Sequence, residues 1–174
     1  CLLSYSLAKK GIEVDLFEQS DDICSGASSH ELLVAYPRLS AHDNAYGRFN
    51  LLSYLYAVNF YDNLNSTAWQ KTGVLVLNHD QNSNKRQESL MQHRFDKDIY
   101  QHLSPEEAST ISGISIDLDG LLYRDAGYIL PRQLCEVLID SPNINLKTSS
   151  KIESLSRDQK ITSFKIGSKE YKYK

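Results

Sequence analysis

The segment Lys9-Lys10-Gly11-Ile12-Glu13-Val14-Asp15-Leu16-Phe17-Glu18 predicts the end of a helix and the start of a strand. Basic residues followed by glycine are typical of a helix C-terminus, so we expect the helix that starts at Leu2 to end near Lys10. Ile12 to Phe17 alternates apolar and acidic side chains, which predicts a strand, and Glu18 follows directly. A helix, a short turn and a strand followed by an acidic residue form the second half of a βαβ unit, so the segment predicts an α/β fold.

The composition is that of an ordinary globular protein. Of the 174 residues, 41% are hydrophobic and 24% are charged, which excludes a disordered tail, a collagen-like fibre and a small disulfide scaffold. The net charge of -3 argues against a surface that binds nucleic acid over its whole extent, although a local basic patch is compatible with it. No apolar run reaches the ~20 residues that span a bilayer, so we expect no membrane partner.

The three cysteines, Cys1, Cys24 and Cys135, are widely spaced and odd in number, and no histidines pair at metal-ligand spacing. We therefore expect reduced thiols, no metal site and a cytoplasmic location. The chain begins inside a helix pattern and stops at Lys174 directly after a strand-like run. These ends predict a fragment of a longer protein.

A long helix is predicted in the first half of the chain. Asp43 is expected to cap a helix from Asn44 to about Leu64. Steps of mostly three and four residues separate its apolar side chains, a pattern that favours core packing over a stacking role. These side chains are Phe49, Leu52, Leu55, Tyr56, Phe60 and Leu64. The polar segment 82–92 predicts an exposed helix.

The residues that mark the ends of helices and strands are clearest in the second half of the chain. Ser104-Pro105-Glu106-Glu107 combines a capping box with proline in the first turn, which predicts a helix that ends near Gly113. A further helix is expected from Pro131 to about Ile139. Strands are predicted at 73–77, 120–123, 128–130 and 144–147, followed by an antiparallel pair at 151–156 and 160–166.

Motifs for simple hydrolytic chemistry are absent from the sequence. It contains no nucleophile elbow, no H-E-x-x-H, no Walker loop and no G-x-G-x-x-G. If the protein is an enzyme, a bound cofactor is therefore expected to carry the chemistry.

Glu18 and two loops are the candidate ligand contacts. Glu18 lies where the acid of a dinucleotide fingerprint bonds a ribose hydroxyl, and the alternative is a solvated residue at a strand end. The small residues 25–29 can bring backbone N–H groups close to a phosphate or a ribose, although such loops are common. The segment 36–43, with Arg38 and His42, is either part of a site or an irregular connection.

These segments follow one another in the order found in a known family. The specific part is the Y-P-x-L-S-x-H-D pattern of residues 36–43. From about Leu2 to Ile139 the chain resembles the C-terminal FAD-dependent oxidoreductase module of MnmC, the family of bifunctional proteins that modify the tRNA wobble uridine. The strand-end acid and the small-residue loop are shared with the wider D-amino-acid-oxidase and glycine-oxidase superfamily. The other matching segments are 16–18, 25–29, 48–49, 72–75, 103–108, 120–123 and 127–131.

The resemblance implies an α/β fold with an α+β insertion. In this reading, a fragment of a Rossmann-like FAD-binding domain is interleaved with a substrate domain built on an antiparallel sheet. Residues 1–42 belong to the FAD-binding domain, 43–130 form a helical and substrate-domain segment, and 131–174 return to the FAD-binding domain.

The activity implied by the resemblance is FAD-dependent removal of the carboxymethyl group from 5-carboxymethylaminomethyl-uridine at the wobble position of tRNA. The implied partners are a tRNA substrate and a fused or associated methyltransferase domain. The implied contacts with FAD are made by Glu18, Gly26, Ala27, Ser28 and Ser29, and the implied substrate pocket contains Tyr36, Ser40, His42 and Tyr128.

No catalytic base is assigned, because oxidation of an amine at a flavin does not require one. One alternative is a glycine-oxidase-like enzyme that oxidises free amines or amino acids. Another is a non-catalytic α+β binding module.

Overall fold

The computed structural model describes residues 1–40, 44–64, 66–92, 99–158 and 161–173, and shows a mixed α/β fold. Among these residues the strands form four small sheets. The helices are α1 (Leu2–Ala8), α2 (Ala45–Asp62), α3 (Gln81–Gln92), α4 (Pro105–Ser112) and α5 (Pro131–Ile139). The strands are β1 (Val14–Phe17), β2 (Leu33–Ala35), β3 (Trp69–Gln70), β4 (Val74–Leu77), β5 (Gln101–Leu103), β6 (Gly120–Tyr123), β7 (Gly127–Ile129), β8 (Ile144–Lys147), β9 (Ser154–Asp158), β10 (Ile161–Ile166) and β11 (Lys169–Tyr173).

The chain divides into two compact units. Unit 1 consists of Cys1–Glu31 together with Pro131–Lys174, and unit 2 consists of Leu32–Leu130. The boundary between the first segment of unit 1 and unit 2 therefore falls at Leu32. The sequence analysis predicts this boundary eleven residues later, at position 43. The reason is local, because β2 starts at Leu33 and pairs with β7 of unit 2.

A parallel pair of strands forms the centre of unit 1. In this pair, β1 lies beside β8, with Val14 opposite Ile144 and Phe17 opposite Lys147. Helix α1 ends at Ala8, and Gly11 adopts a φ of +76°, a left-handed conformation that glycine enters without the steric cost of a side chain. The predicted order of helix, turn and strand at the start of the chain is confirmed.

A three-stranded antiparallel sheet completes unit 1. Strand β10 pairs with β9 on one side and with β11 on the other. The ring of Phe164 in β10 is nearly buried and lies 5.0 Å from the ring of Phe17 in an edge-to-face arrangement. This contact joins the sheet to β1 through apolar and aromatic packing.

Unit 2 contains two three-stranded sheets, β2-β7-β3 and β4-β6-β5. Its core holds the buried residues Leu39, Leu90, Leu121, Tyr123 and Ala126. Leu90 belongs to α3, and so does Gln87, which is only 3% exposed. The expectation of an exposed helix at 82–92 is therefore wrong for one face of α3, since that face covers the core.

Helix α4 begins and ends as the sequence predicts. The Ser104 hydroxyl accepts a hydrogen bond from the Glu107 N–H, and the Glu107 carboxylate accepts one from the Ser104 N–H at 2.9 Å. Gly113 ends the helix with a φ of +74°. The reciprocal capping bonds satisfy N–H groups that the first turn of a helix leaves unpaired.

Helix α2 differs from expectation in two respects. Its cap is Asn44, whose side chain accepts a hydrogen bond from the Gly47 N–H at 2.7 Å, while the expected cap Asp43 lies outside the described residues. Phe49, Leu52 and Tyr56 are 65–72% exposed, so core packing of this apolar stripe is wrong for these residues. Val58 is the buried residue of the helix.

Candidate functional site

In unit 1, Glu18 follows β1 directly at the carboxyl end of the parallel pair. Its backbone N–H donates to the Lys147 carbonyl at 2.9 Å, and its own carbonyl accepts from the Ser150 N–H at 2.8 Å. One carboxylate oxygen, Oε1, accepts from the Ser20 N–H at 3.0 Å. The other oxygen has no protein donor among the described residues, so this half-buried carboxylate can accept a hydrogen bond from a ligand hydroxyl.

The small-residue loop of unit 1 forms a single 3₁₀ turn over Ala27–Ser29. The Ser29 N–H donates to the Gly26 carbonyl at 3.0 Å. A Cβ atom added at Gly26 would meet nothing within 4 Å, so the backbone here is open to close approach by a ligand. The backbone at Gly26 and one oxygen of the Glu18 carboxylate are therefore accessible to a ligand.

A salt bridge joins the segment just before this loop to the start of α5. Arg132 Nη2 donates to Asp22 Oδ2 at 2.8 Å and reaches the Ile23 carbonyl at 3.4 Å. Hydrogen bonds from Arg132 and from the Ile23 N–H lower the pKa of the Asp22 carboxyl. Sequence reasoning missed this pair, because the two residues lie 110 positions apart and nothing in either local pattern links them.

Two thiols lie beside this salt bridge. Burial and a hydrogen bond with Cys135 raise the pKa of Cys24 to about 11. Cys24 Sγ also lies 3.8 Å from the Pro131 carbonyl oxygen. Both cysteines are free thiols, in agreement with the sequence. A thiol with so high a pKa is protonated at neutral pH and is a poor nucleophile.

The predicted substrate residues lie in unit 2, at different places. Tyr36 follows β2 and lines a cavity. Ser40 lies before α2, where its hydroxyl accepts from the Asn44 side-chain amide at 3.3 Å. Tyr128 lies in β7, opposite Val34 of β2 in the sheet, and does not line that cavity. His42 lies outside the described residues.

The cavity in unit 2 has a volume of about 320 Å³ and combines an apolar wall with a polar rim. The pair Tyr36 and Tyr123 forms its aromatic side, with ring centroids 5.9 Å apart. Burial raises the pKa of Tyr123 to about 12, so its hydroxyl stays neutral. The other lining residues are Val76, Leu77, Asn78, His79, Asp80, Asn82, Ser83, Arg86, Gln87, Leu90 and Leu121.

Buried polar side chains of this cavity are held by one carboxylate. Asp119 Oδ2 accepts from the Asn78 side-chain amide at 2.9 Å and from the Gln87 amide at 3.4 Å, and His102 Nε2 lies 3.1 Å from the same oxygen. The Asn78 N–H also donates to the Asp119 carbonyl at 3.0 Å. These bonds satisfy polar groups whose burial would otherwise be costly and fix one side of the cavity.

Sequence reasoning missed Arg86 as a component of this cavity. Arg86 Nη2 donates to the Leu39 carbonyl at 3.1 Å, and no carboxylate among the described residues forms an ion pair with it. Asn82, Arg86 and Leu90 recur at four-residue steps, which place them on one face of α3. That spacing is visible in the sequence, but it does not show that this face of the helix lines a cavity.

The described part of the chain has no helix long and apolar enough to cross a membrane. It also has no group of three or more histidine, cysteine, aspartate or glutamate side chains arranged to hold a metal ion.

Comparisons with known proteins agree with the resemblance drawn from the sequence. Two relatives are tRNA 5-methylaminomethyl-2-thiouridine biosynthesis bifunctional proteins MnmC. The protein of Legionella pneumophila (strain Corby) is 32% identical over 92% of this chain, and that of Ectopseudomonas mendocina is 34% identical over 91%. In both cases the match covers 24% of the relative, so the chain spans about a quarter of their length.

Solved structures share the fold at low sequence identity. Glycine oxidase from Geobacillus kaustophilus superposes with a TM-score of 0.76 at 18% identity, over 98% of this chain and 49% of that one. The fructosyl amine:oxygen oxidoreductase of Aspergillus fumigatus gives 0.75 at 14% identity, over 99% and 44%. The family model of the FAD-dependent oxidoreductases (DAO) matches residues 1–170. The chain therefore belongs to the DAO family of FAD-dependent oxidoreductases.

Proposed function

We propose that the protein takes part in the FAD-dependent oxidation of a C–N bond in tRNA, removing the carboxymethyl group from 5-carboxymethylaminomethyl-uridine at the wobble position. The observation that carries this proposal is the 30–34% identity to MnmC proteins over about nine-tenths of the chain. Residues 36–43 carry the most specific part of the resemblance drawn from the sequence. A tRNA substrate also implies a cytoplasmic reaction.

Unit 1 supplies the proposed contacts with FAD. The free oxygen of the Glu18 carboxylate accepts a hydrogen bond from the adenosine ribose, and Gly26 to Ser29 line the cofactor. Support comes from the backbone at Gly26, where a ligand can approach closely, and from the Arg132–Asp22 salt bridge, which fixes the segment just before this loop. When bound, FAD supplies the two-electron acceptor that the amine oxidation requires.

Unit 2 supplies the proposed contacts with substrate, made by Tyr36, Ser40, His42 and Tyr128. Their role is to orient the amine and to hold polar groups of the substrate, because orientation alone accounts for a large part of many rate enhancements. Tyr36 combines 39% exposure with a fixed neighbour in Tyr123, as a binding surface requires.

A glycine-oxidase-like activity on free amines or amino acids is the second candidate. It is favoured by the superposition on glycine oxidase at a TM-score of 0.76. The two candidates share the cofactor and the bond that is oxidised, and they differ in what is attached to the amine.

The relatives are described as bifunctional, and the matched region covers about a quarter of each. We therefore propose that a second functional domain, a methyltransferase, is fused to this oxidoreductase or associates with it.

Two measurements on the full-length protein test the proposal. The first is flavin absorbance after purification, or after addition of FAD to colourless protein. A protein that stays colourless would favour a non-catalytic binding module. The second is turnover of tRNA carrying 5-carboxymethylaminomethyl-uridine, followed by mass spectrometry of the nucleosides, in parallel with free glycine and sarcosine. Loss of the carboxymethyl group supports the tRNA reaction, whereas turnover of the free amines alone overturns it in favour of the second candidate.

A further inference from the structure

We propose that the cavity of unit 2 binds one unstacked nucleotide of single-stranded RNA, with its base against Tyr36 and its phosphate at Arg86. The proposal rests on the proposed function, since it assigns the position at which the anticodon loop of the tRNA is held. It goes further by naming residues of β4 and α3 that no sequence motif indicated.

The size and lining of the cavity fit a single nucleotide. Its volume of about 320 Å³ lies at the lower end of the range for small-ligand sites. Val76, Leu90 and Leu121 give it an apolar floor, and Tyr36 gives it an aromatic side. Single-stranded RNA is recognised in this way, because splayed bases stack on aromatic side chains, whereas bases within a duplex cannot enter a concave site.

Tyr36 is suited to stack on a base. Its side chain is 39% exposed and so remains accessible, whereas the neighbouring ring of Tyr123 is only 3% exposed. The centroids of these rings are 5.9 Å apart. The buried ring therefore supports the accessible one and limits its movement, which lowers the entropy lost when a base binds.

Arg86 is suited to a phosphate. Among the described residues its guanidinium donates only to the Leu39 carbonyl, which leaves its other N–H groups available there. The absence of an ion-pair partner among the described residues leaves its charge uncompensated. A planar guanidinium with several free donors is the usual protein partner of a phosphate.

The remaining groups of the rim are compatible with this orientation. Asn82 lies one turn before Arg86 on the same face of α3, and its amide can pair with the edge of a base. The negative charge of Asp80 is engaged by the first turn of the helix, accepting from the Ser83 N–H at 2.7 Å and from the Ser83 hydroxyl at 2.8 Å. Asp80 precedes Arg86 by six residues, about 9 Å along the helix, so the phosphate is expected at the Arg86 end.

The test uses the full-length, FAD-loaded protein and a fluorescent, unmodified anticodon stem-loop RNA, with binding followed by anisotropy. Arg86→Gln is expected to raise the Kd about tenfold and to reduce the slope of log Kd against log salt by about one. Arg86→Lys is expected to recover part of the affinity, because it restores the charge without the planar fork. Tyr36→Leu is expected to raise the Kd about tenfold with no change in that slope.

Lys85→Gln is the matched control, since Lys85 is exposed on the same helix but does not line the cavity. It is expected to change the Kd less than twofold. An equal loss in Lys85→Gln and Arg86→Gln would mean that general charge on α3 attracts the RNA, and an unchanged Kd in Arg86→Gln would mean that this residue binds no phosphate. Either result overturns the proposal.

Cross-linking gives a readout that does not depend on the variants. Stem-loop RNA with 4-thiouridine in the anticodon is irradiated on the unaltered protein, and the linked peptides are identified by mass spectrometry. Links to peptides that contain Tyr36 or residues 78–90 are expected, and links elsewhere alone would overturn the proposal. Failure of the proposed function is seen separately, as absence of turnover of modified tRNA by the unaltered protein.

Discussion

The carboxylate of Asp15 accepts three side-chain hydrogen bonds from described residues of unit 1, and the effect of removing its charge can be predicted quantitatively. Oδ1 accepts from Lys147 Nζ and from the Asn145 side-chain amide, both at 2.8 Å. Oδ2 accepts from the Tyr173 hydroxyl at 2.6 Å. Since Asn145 and Lys147 belong to β8 and Tyr173 to β11, this one side chain joins β1 to both.

The expected magnitude follows from the partial exposure of the site. Hydrogen bonds to charged groups contribute about 1.5–3 kcal/mol when buried, and fully exposed ion pairs contribute about 0.2–1 kcal/mol. The Asp15 and Lys147 side chains are 25% and 28% exposed, between these limits. We therefore expect Asp15→Asn, which retains the shape and loses the charge, to destabilise unit 1 by about 2 kcal/mol.

The effect has a defined pH dependence. Hydrogen bonds from Lys147 and Tyr173 lower the pKa of Asp15 below its ordinary value. A carboxyl group with a lowered folded-state pKa stabilises the fold fully above its unfolded pKa of about 3.9, and this contribution disappears as the pH falls through the folded value. The stability difference between the native protein and Asp15→Asn is therefore constant near neutral pH and shrinks below about pH 4.

Hydrogen exchange of the amides in β1 and β8 measures this effect within unit 1. A change of about 2 kcal/mol corresponds to about thirtyfold faster exchange of these amides, after correction for intrinsic rates. Glu13→Gln is the control, because Glu13 is exposed and makes no side-chain hydrogen bond among the described residues. The reasoning is refuted if Asp15→Asn accelerates exchange less than twofold at neutral pH, or if Glu13→Gln has the same effect.

Four further outcomes are expected. Glu18→Ala weakens FAD binding to the full-length protein by about 1–3 kcal/mol in a titration of flavin fluorescence, and an unchanged affinity would reject the ribose contact. Cys24, with a pKa of about 11, is alkylated more slowly than a free thiol at pH 8, and its rate, followed by mass spectrometry, keeps rising up to about pH 11. Ser104→Ala lowers the free energy of unfolding by about 1 kcal/mol in urea denaturation, because the capping box is lost. Ser104→Thr retains most of this stabilisation, because a threonine hydroxyl can also cap the helix. Gly127→Ala destabilises unit 2 by about 3 kcal/mol, because its Cβ would overlap the Gln70 carbonyl oxygen, whereas Gly26→Ala leaves stability unchanged.

Elements with strong local signals could be predicted from the sequence. The capping box fixes the start of α4, and proline at the first position fixes the start of α5, which runs from Pro131 to Ile139 as expected. Among the described strands, the sequence analysis does not predict β11, and it also misses β2, β3 and β5, which have two or three residues each. So short a segment shows no alternation, and its strand conformation depends on a partner far away in sequence, such as β7 for both β2 and β3.

The candidate site divides in the same way. Glu18 is a candidate because a strand that ends at an acid is a local pattern, and its contact with a cofactor stays a prediction. Arg86 could not be identified from the sequence. A polar helix with one buried face has the same pattern as an exposed helix, and the burial of Gln87 and Leu90 is seen only in the structure. In α2 the opposite error occurs. The periodicity of its apolar residues indicates an apolar face, but it does not show what covers that face. In the described residues Phe49 and Tyr56 of that face remain exposed.

Polar contacts connect the two segments of unit 1, 1–31 and 131–174, on either side of the proposed cofactor site. Asp22 is bonded to Arg132, Asp15 to Tyr173, and Glu18 to the carbonyl of Lys147. Each contact closes a chain loop of more than a hundred residues, which includes unit 2, but the entropic cost of closure rises only with the logarithm of loop length. Inserting unit 2 between the two segments of unit 1 therefore costs little more loop-closure entropy than a shorter insertion would. A substitution such as Arg132→Ala, although distant in sequence, therefore removes the contact of Asp22, which lies between Glu18 and the loop proposed to hold FAD.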